Sequence, residues 1–489
     1  MILILLSTLR HSLTFSRRWQ DFLLKESLSL DSRMLRYGLS GDNDLHDDGG
    51  EALLGDWYIS PAPKLSPTFP LSPQSASVPL SKPSGGTPSL ISTEDELKNA
   101  ADVLANGHGP LAVDTERASA YRYGDRAFLL QLKRAGSGLF LVDAEACRSD
   151  MGLLAPIVNR LTWIIHSART DLPALLDMGL TPHRLFDTEL GGRIAGLKKV
   201  NLGDMVDGLV GYRLAKEHGH ENWSRRPLPD EWLDYAALDV ECLLELSTAV
   251  AGLLSELDRF AWWTEECEYI RTSTLADAPS VEPSLRVKGL NNLSTPAQRE
   301  LAFTLSRERD QRARAVDRSP HRVLSNSDLI AIARKNPRTI QEMMDATHFR
   351  SMRNARSWWS VIQGEHDKTT ASPSGTARSH CATDDNRGHH SDTHYAGGRR
   401  FPNSERGQKA EGLYSLCSEA INVVSEQTGI PHEVIITPQI VRLMAWHFSS
   451  EPQAHATDID MFFARHGVRR WQRRIVSPVC ANALGDHKR

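Results

Sequence analysis

Between residues 110 and 165 the chain repeats one pattern, in which short apolar runs are closed by Gly, charged or turn residues. The runs at 110–113, 127–132 and 138–142 predict three successive strands of one sheet. A helix over 153–161 and a buried strand over 162–165 follow. Helices are then expected over 171–178, 188–197 and 202–209. A long one runs from 229 to about 257, where Pro229, Asp230 and Glu231 suit the positive helix end. Strands first, then strands alternating with helices, give an α/β domain around a mixed sheet.

At 489 residues the chain exceeds one ordinary core, so about three domains are expected. Residues 1–92 read as a disordered tail: 42–51 is acidic and 60–92 is dense in Pro and Ser. The acidic stretch lacks the alternation and Gly placement of a calcium loop. The α/β domain occupies 93–265. Two all-helical regions follow at 285–364 and 406–484, separated by a flexible linker over 367–405. The net charge of −4 gives no general affinity for nucleic acid, so any basic surface is local. One such region is 285–360, where 15 Arg or Lys face seven Asp or Glu, a balance of about +8.

The six cysteines are far apart and form no CxxC pair, which argues against a zinc site or a disulfide framework and fits a reducing cytoplasm. The histidines of 380–394 match no closed zinc spacing. No apolar run reaches the roughly 18 residues needed to span a bilayer. The apolar opening lacks the basic segment and small-residue cleavage site of a secretory leader.

Three separated places carry the chemistry. In the segment 111–116, Leu-Ala-Val-Asp-Thr-Glu, Asp114 and Glu116 share one strand face because strand side chains repeat every two residues. Asp171 falls in the first turn of the helix after the strand at 162–165. Tyr235 and Asp239 stack one helical turn apart. Each element alone has an ordinary explanation: surface charges on an edge strand, a capping aspartate, a half-buried tyrosine. Together they form an oxygen-rich cage for two divalent ions, Mg²⁺ or Mn²⁺, suited to hydrolysing a phosphodiester with a metal-bound water. His166 reads as a positioning or core residue and Asp187 as a helix cap.

This combination, with Phe186-Asp187-Thr188 and the segment containing Glu221, Trp223, Arg226 and Leu228, resembles the tyrosine-bearing branch of the DEDD 3′→5′ exonucleases. Within that branch it resembles the ribonuclease D family. The resemblance covers about 92–257 and implies an RNase H-like (DnaQ-like) fold. It also implies that Asp114 bridges both metals, Glu116 and Asp239 complete one site, Asp171 serves the other, and Tyr235 orients the nucleophile. Lys216, Trp223 and Arg226 would lie near the substrate strand.

The span 295–359 is similar to the HRDC (helicase and RNase D C-terminal) module, and 406–484 to a second, divergent copy. Arg307, Arg309, Arg312, Arg314 and Arg318 of the first would grip RNA phosphates, Arg307 and Arg312 foremost; the alternative is an ordinary solvated helical face, since acidic residues are interleaved. Arg469, Arg470, Arg473 and Arg474 form a smaller basic cluster. The family's implied task is 3′-end trimming of structured RNA such as tRNA precursors, releasing 5′-monophosphates, with no membrane and no required protein partner. The alternatives are an exonuclease acting on DNA, a silent nucleic-acid-binding scaffold, or an interaction protein built on the bundles.

Overall fold

The computed structural model describes residues 77–215, 221–276, 287–349, 351–371, 400–450 and 455–486. The acidic stretch at 42–51, Lys216 and the histidine-rich part of the linker lie outside the described residues.

The strands are β1 (Val78–Leu80), β2 (Leu90–Ile91), β3 (His108–Arg117), β4 (Ala127–Ala135), β5 (Gly138–Asp143), β6 (Thr162–Ile165), β7 (Arg184–Asp187) and β8 (Tyr212–Leu214). Six of them form a mixed sheet in the order β2-β5-β4-β3-β6-β7, and β1 pairs with β8 in parallel. β3 and β5 flank β4 antiparallel, while β6 and β7 extend the sheet in parallel with β3. The central strands are buried on both faces, so β4 reads as a nearly continuous apolar run.

Helices cover both faces: α1 (Glu94–Ala105), α2 (Ala155–Val158), α3 (Ala168–Asp177), α4 (Thr188–Ala195), α5 (Leu202–Leu209), α6 (Asp230–Glu241), α7 (Leu243–Glu256) and α8 (Phe260–Ala276). One core packs Leu97, Leu104, Val113, Leu130, Trp163 and Leu175. Another, on the opposite side, packs Ala112, Ile164, Phe186, Leu243, Leu246 and Trp263. α4 approaches α7 closely because Gly191 has no side chain: a Cβ there would meet Val250 at 2.5 Å.

Three expectations change. Residues 78–91 hold two strands rather than a disordered tail, because β1 and β2 find partners in β8 and β5. The helix expected over 153–161 is a 3₁₀ turn, Arg148–Leu153, followed by the single-turn α2. The long helix is two helices, broken at Cys242 (φ −105°, ψ 6°). That break lets α6 lie over β3, β4 and β5 while α7 packs against α4 and α5.

The first helical region comprises α9 (Pro296–Ala315), α10 (Pro320–Val323), α11 (Asn326–Lys335), α12 (Ile340–Asp345) and α13 (Met352–Ala371) around Leu301, Leu305, Leu329, Ile332 and Trp358. It docks on the loop that leaves β3. Tyr123 Oη donates to Asp310 at 2.9 Å, and Arg126 donates to both oxygens of Asp317 at 3.0 and 2.8 Å.

The second region comprises α14 (Glu405–Thr428), α15 (His432–Ile435), α16 (Pro438–Phe448), α17 (Ala456–Arg465) and α18 (Arg470–Asp486). It packs on α8, where Trp262 stacks on Trp471 with ring centroids 5.1 Å apart. Trp471 Nε1 donates to Glu266 at 2.9 Å. The fully buried guanidinium of Arg259 bonds the carbonyls of Ile194 (2.8 Å) and Thr428 (3.1 Å), tying this region to α4.

Candidate active site

β3 presents Asp114 and Glu116 on one face, registered opposite Gln131 and Leu129 of β4. α6 roofs that face and is held at both ends. Near its start Asp234 accepts the Thr87 hydroxyl and pairs with Lys82 at 2.9 Å. At its end Glu241 accepts from Lys133 (3.0 Å), from the Ser84 amide (3.0 Å) and from the Ser84 hydroxyl (2.6 Å). So fixed, α6 brings an Asp239 oxygen to Asp114 and Glu116. Asp114, Glu116 and Asp239 each offer an oxygen, and these lie within 4.8 Å of one another.

Asp171 stands beside this trio. β6 enters α3 through Ser167, which adopts a left-handed turn (φ 68°). Asp187 at the end of β7 stabilises that turn by accepting the amides of Ser167 (3.0 Å) and Ala168 (2.8 Å). It also accepts the Leu190 amide (3.1 Å), capping α4. The helix-cap reading of Asp187 therefore extends to two helices. Asp171 accepts the Thr115 hydroxyl at 2.7 Å and the Thr170 hydroxyl at 2.8 Å, with Arg117 3.8 Å away.

Burial, then repulsion from Asp171, Asp239 and Glu116, pushes the Asp114 carboxyl well above its ordinary range. Burial, then Asp239 and Asp171, does the same to Glu116. Asp239 is pushed up to about 8 by burial and Asp171. Asp171 is also raised by burial, which outweighs the lowering by Thr115 and Arg117. Burial and the charges of Asp239, Glu116 and Asp114 raise the Tyr235 phenol. Carboxylates forced together this way are costly as bare anions, and the all-oxygen donor set fits a hard divalent cation. His166 is half-buried and bonded to Thr188 Oγ1 at 2.9 Å; burial lowers its pKa to about 4, so its ring is neutral at ordinary pH.

The residues expected near the substrate have partners within the chain. All five N–H groups of Arg226 are engaged: with both oxygens of Asp143 (2.6 and 2.7 Å) and the carbonyls of Trp223 (2.7 Å), Arg225 (2.7 Å) and Phe128 (2.9 Å). It locks the segment before α6 to β4 and β5. Trp223 is 1 % exposed, packed 5.4 Å from the Trp232 ring. Arg312 bonds Glu308 at 2.7 Å and Ser357 at 2.7 Å and lies 4.3 Å over the Trp358 ring, whereas Arg307 is exposed. Arg309 is buried against Asn326; Arg314 and Arg318 are exposed. In the smaller cluster, Arg469 is bound by Glu266 and Arg473 by Asp460.

Thr115 went unnoticed in the sequence although strand alternation turns it away from Asp114, toward Asp171. The strap formed by Lys82, Ser84 and Thr87 left no local signal.

Residues 88–254 match the family described as 3′-5′ exonuclease. This segment is a 3′-5′ exonuclease domain. Residues 298–362 match the HRDC domain. Residues 404–484 match the 3′ to 5′ exonuclease C-terminal domain, where a second HRDC copy was expected.

The exonuclease-bearing chain is similar to ribonuclease D of Shewanella sp. (strain ANA-3), 29 % identical over 256 residues. That match covers 51 % of this chain and 65 % of the Shewanella protein, just under two thirds of its length. Among solved structures, a protein from Bifidobacterium adolescentis is 28 % identical with a TM-score of 0.69, covering 84 % of this chain and all of that one (100 %). Escherichia coli RNase D shares the fold, at 21 % identity and a TM-score of 0.58, covering 82 % of this chain and 99 % of that one.

Proposed function

We propose that this chain is a metal-dependent 3′-5′ exoribonuclease of ribonuclease D type, removing nucleotides from RNA 3′ ends as 5′-monophosphates. The observation that carries the reading is the convergence of Asp114, Glu116 and Asp239 oxygens within 4.8 Å, one helical turn from Tyr235. Asp114, Glu116 and Asp239, with Asp171 alongside, would hold two divalent cations, Mg²⁺ or Mn²⁺. Such a pair, when bound, activates water and stabilises the leaving oxygen. The protein's own part is positional. Asp187 and Thr115 fix Asp171, the strap and Lys133 fix α6, and the Tyr235 hydroxyl orients the attacking water, its raised pKa keeping its proton in place.

The substrate class we favour is structured RNA such as tRNA precursors. Its body would be gripped by the exposed Arg307, Arg314 and Arg318 of the HRDC domain, which the β3 loop anchors beside the site. We place the protein in the cytoplasm: the described cysteines are buried and unpaired, which suits a reducing compartment. No helix among the described residues is long and apolar enough to cross a membrane.

The deciding experiment incubates 5′-labelled RNA and DNA oligonucleotides with the full chain and Mg²⁺ or Mn²⁺. Stepwise 3′ shortening of RNA is expected, abolished by chelator and slowed about 1000-fold or more in Asp114→Ala. Near-normal trimming by that variant overturns the reading, and preferential DNA shortening moves it to a deoxyribonuclease.

A further inference from the structure

Gln131 is the β4 residue directly across from Asp114. Opposed residues of an antiparallel pair share a face, with Cβ atoms about 4.5–5.5 Å apart. That face is the one under α6. Two residues before Gln131, Leu129 packs in one apolar cluster with Trp223, Ala236 and Ala237; two residues after it, Lys133 bonds Glu241 at 3.0 Å. Gln131 is thus sealed beneath the helix that carries Asp239, and it is 0 % exposed.

Neither Nε2 nor Oε1 of Gln131 has a hydrogen-bond partner among the described residues. A buried carboxamide left this way destabilises a fold, and an apolar side chain of similar size would fill the space without that penalty. Its register neighbour on the β5 side is Leu141, which offers no polar atom beyond its backbone. On the β3 side the neighbour is Asp114. Of its two register neighbours in the sheet, the one with a polar side chain therefore belongs to the acidic trio.

We propose that Gln131 is a positioning residue for the cation site, its amide nitrogen donating to the Asp114 carboxylate when the site is loaded and fixing which Asp114 oxygen faces the cation. Donors behind a ligating carboxylate orient it, and their loss typically weakens metal binding about 10- to 100-fold. The inference rests on the cation reading of Asp114, Glu116 and Asp239.

The test compares Gln131→Leu and Gln131→Met with the native full chain and with Asp114→Ala. Mn²⁺ binding is measured by calorimetry, and thermal unfolding is followed in chelator. The apolar variants should unfold in chelator at the native temperature or above it, yet bind Mn²⁺ about tenfold more weakly. Native Mn²⁺ affinity in both, with Asp114→Ala unable to bind, makes Gln131 a space-filler and overturns the inference alone. A loss of folding or of chelator-state stability in both makes it a structural residue and also overturns it. Native Mn²⁺ binding by Asp114→Ala removes the cation reading itself.

Discussion

Asp187 accepts the Ala168 amide at 2.8 Å, so the residue that ends β7 also fixes the start of the helix bearing Asp171. The same carboxylate caps α4 through Leu190. Asp187→Ala leaves three amides at two helix starts without their acceptor. At about 1 kcal/mol for each cap lost, the expected destabilisation is about 2 kcal/mol, read as a lower urea midpoint with an unchanged slope. RNA trimming should fall as well, because Asp171 loses its fixed approach.

Stability in chelator should decline with rising pH. Asp239 lies at about 8 in the folded chain, against about 4 for an unfolded aspartate. Between those values the folded chain keeps a proton that the unfolded chain has released. Its contribution is therefore complete below about pH 4 and is lost as pH climbs toward 8. Thermal unfolding in chelator across pH 5–8.5 should show this slope. Asp239→Asn should flatten it, and so should Mn²⁺, which satisfies the carboxylates without protons.

Tyr235 stands one turn from Asp239 and contributes no carboxylate to the trio. Tyr235→Phe should keep native Mn²⁺ affinity by calorimetry while trimming about 100-fold more slowly at saturating RNA. Equal losses of cation binding and rate would instead place the phenol among the ligands.

Two arginines that look alike in the sequence should behave differently. Arg307 is exposed, so Arg307→Glu should weaken RNA binding and lower the salt slope by about one, leaving stability unchanged. Arg312 is bound to Glu308 and Ser357 over the Trp358 ring. Arg312→Ala should cost about 1–2 kcal/mol in urea unfolding and alter the salt slope little.

What could be read from residue order was what depends on near neighbours. Asp114 and Glu116 share a face because a strand alternates, and the bounds of β6 and α5 follow from their apolar runs. The fate of Arg226 depends on Asp143, a distant residue whose carboxylate takes two of its five N–H groups. Nothing within 221–228 reveals that pairing, and of the two partners of Arg312 only Glu308 is a near neighbour, Ser357 lying 45 residues away. β1 escaped notice because its partner, β8, is remote in sequence. The break at Cys242 carries neither Gly nor Pro; it is imposed by α6 and α7 having different surfaces to cover.

The stack of Trp262 on Trp471 has a bearing on how the polypeptide is made. Trp262 leaves the ribosome about 200 residues ahead of Trp471, and domains settle as they emerge. Until synthesis is nearly finished, the nuclease half carries a bare aromatic face and a guanidinium, that of Arg259, missing one of its carbonyls. Shortened versions that stop after the HRDC domain would keep that face uncovered, and clumping is the outcome to expect of them.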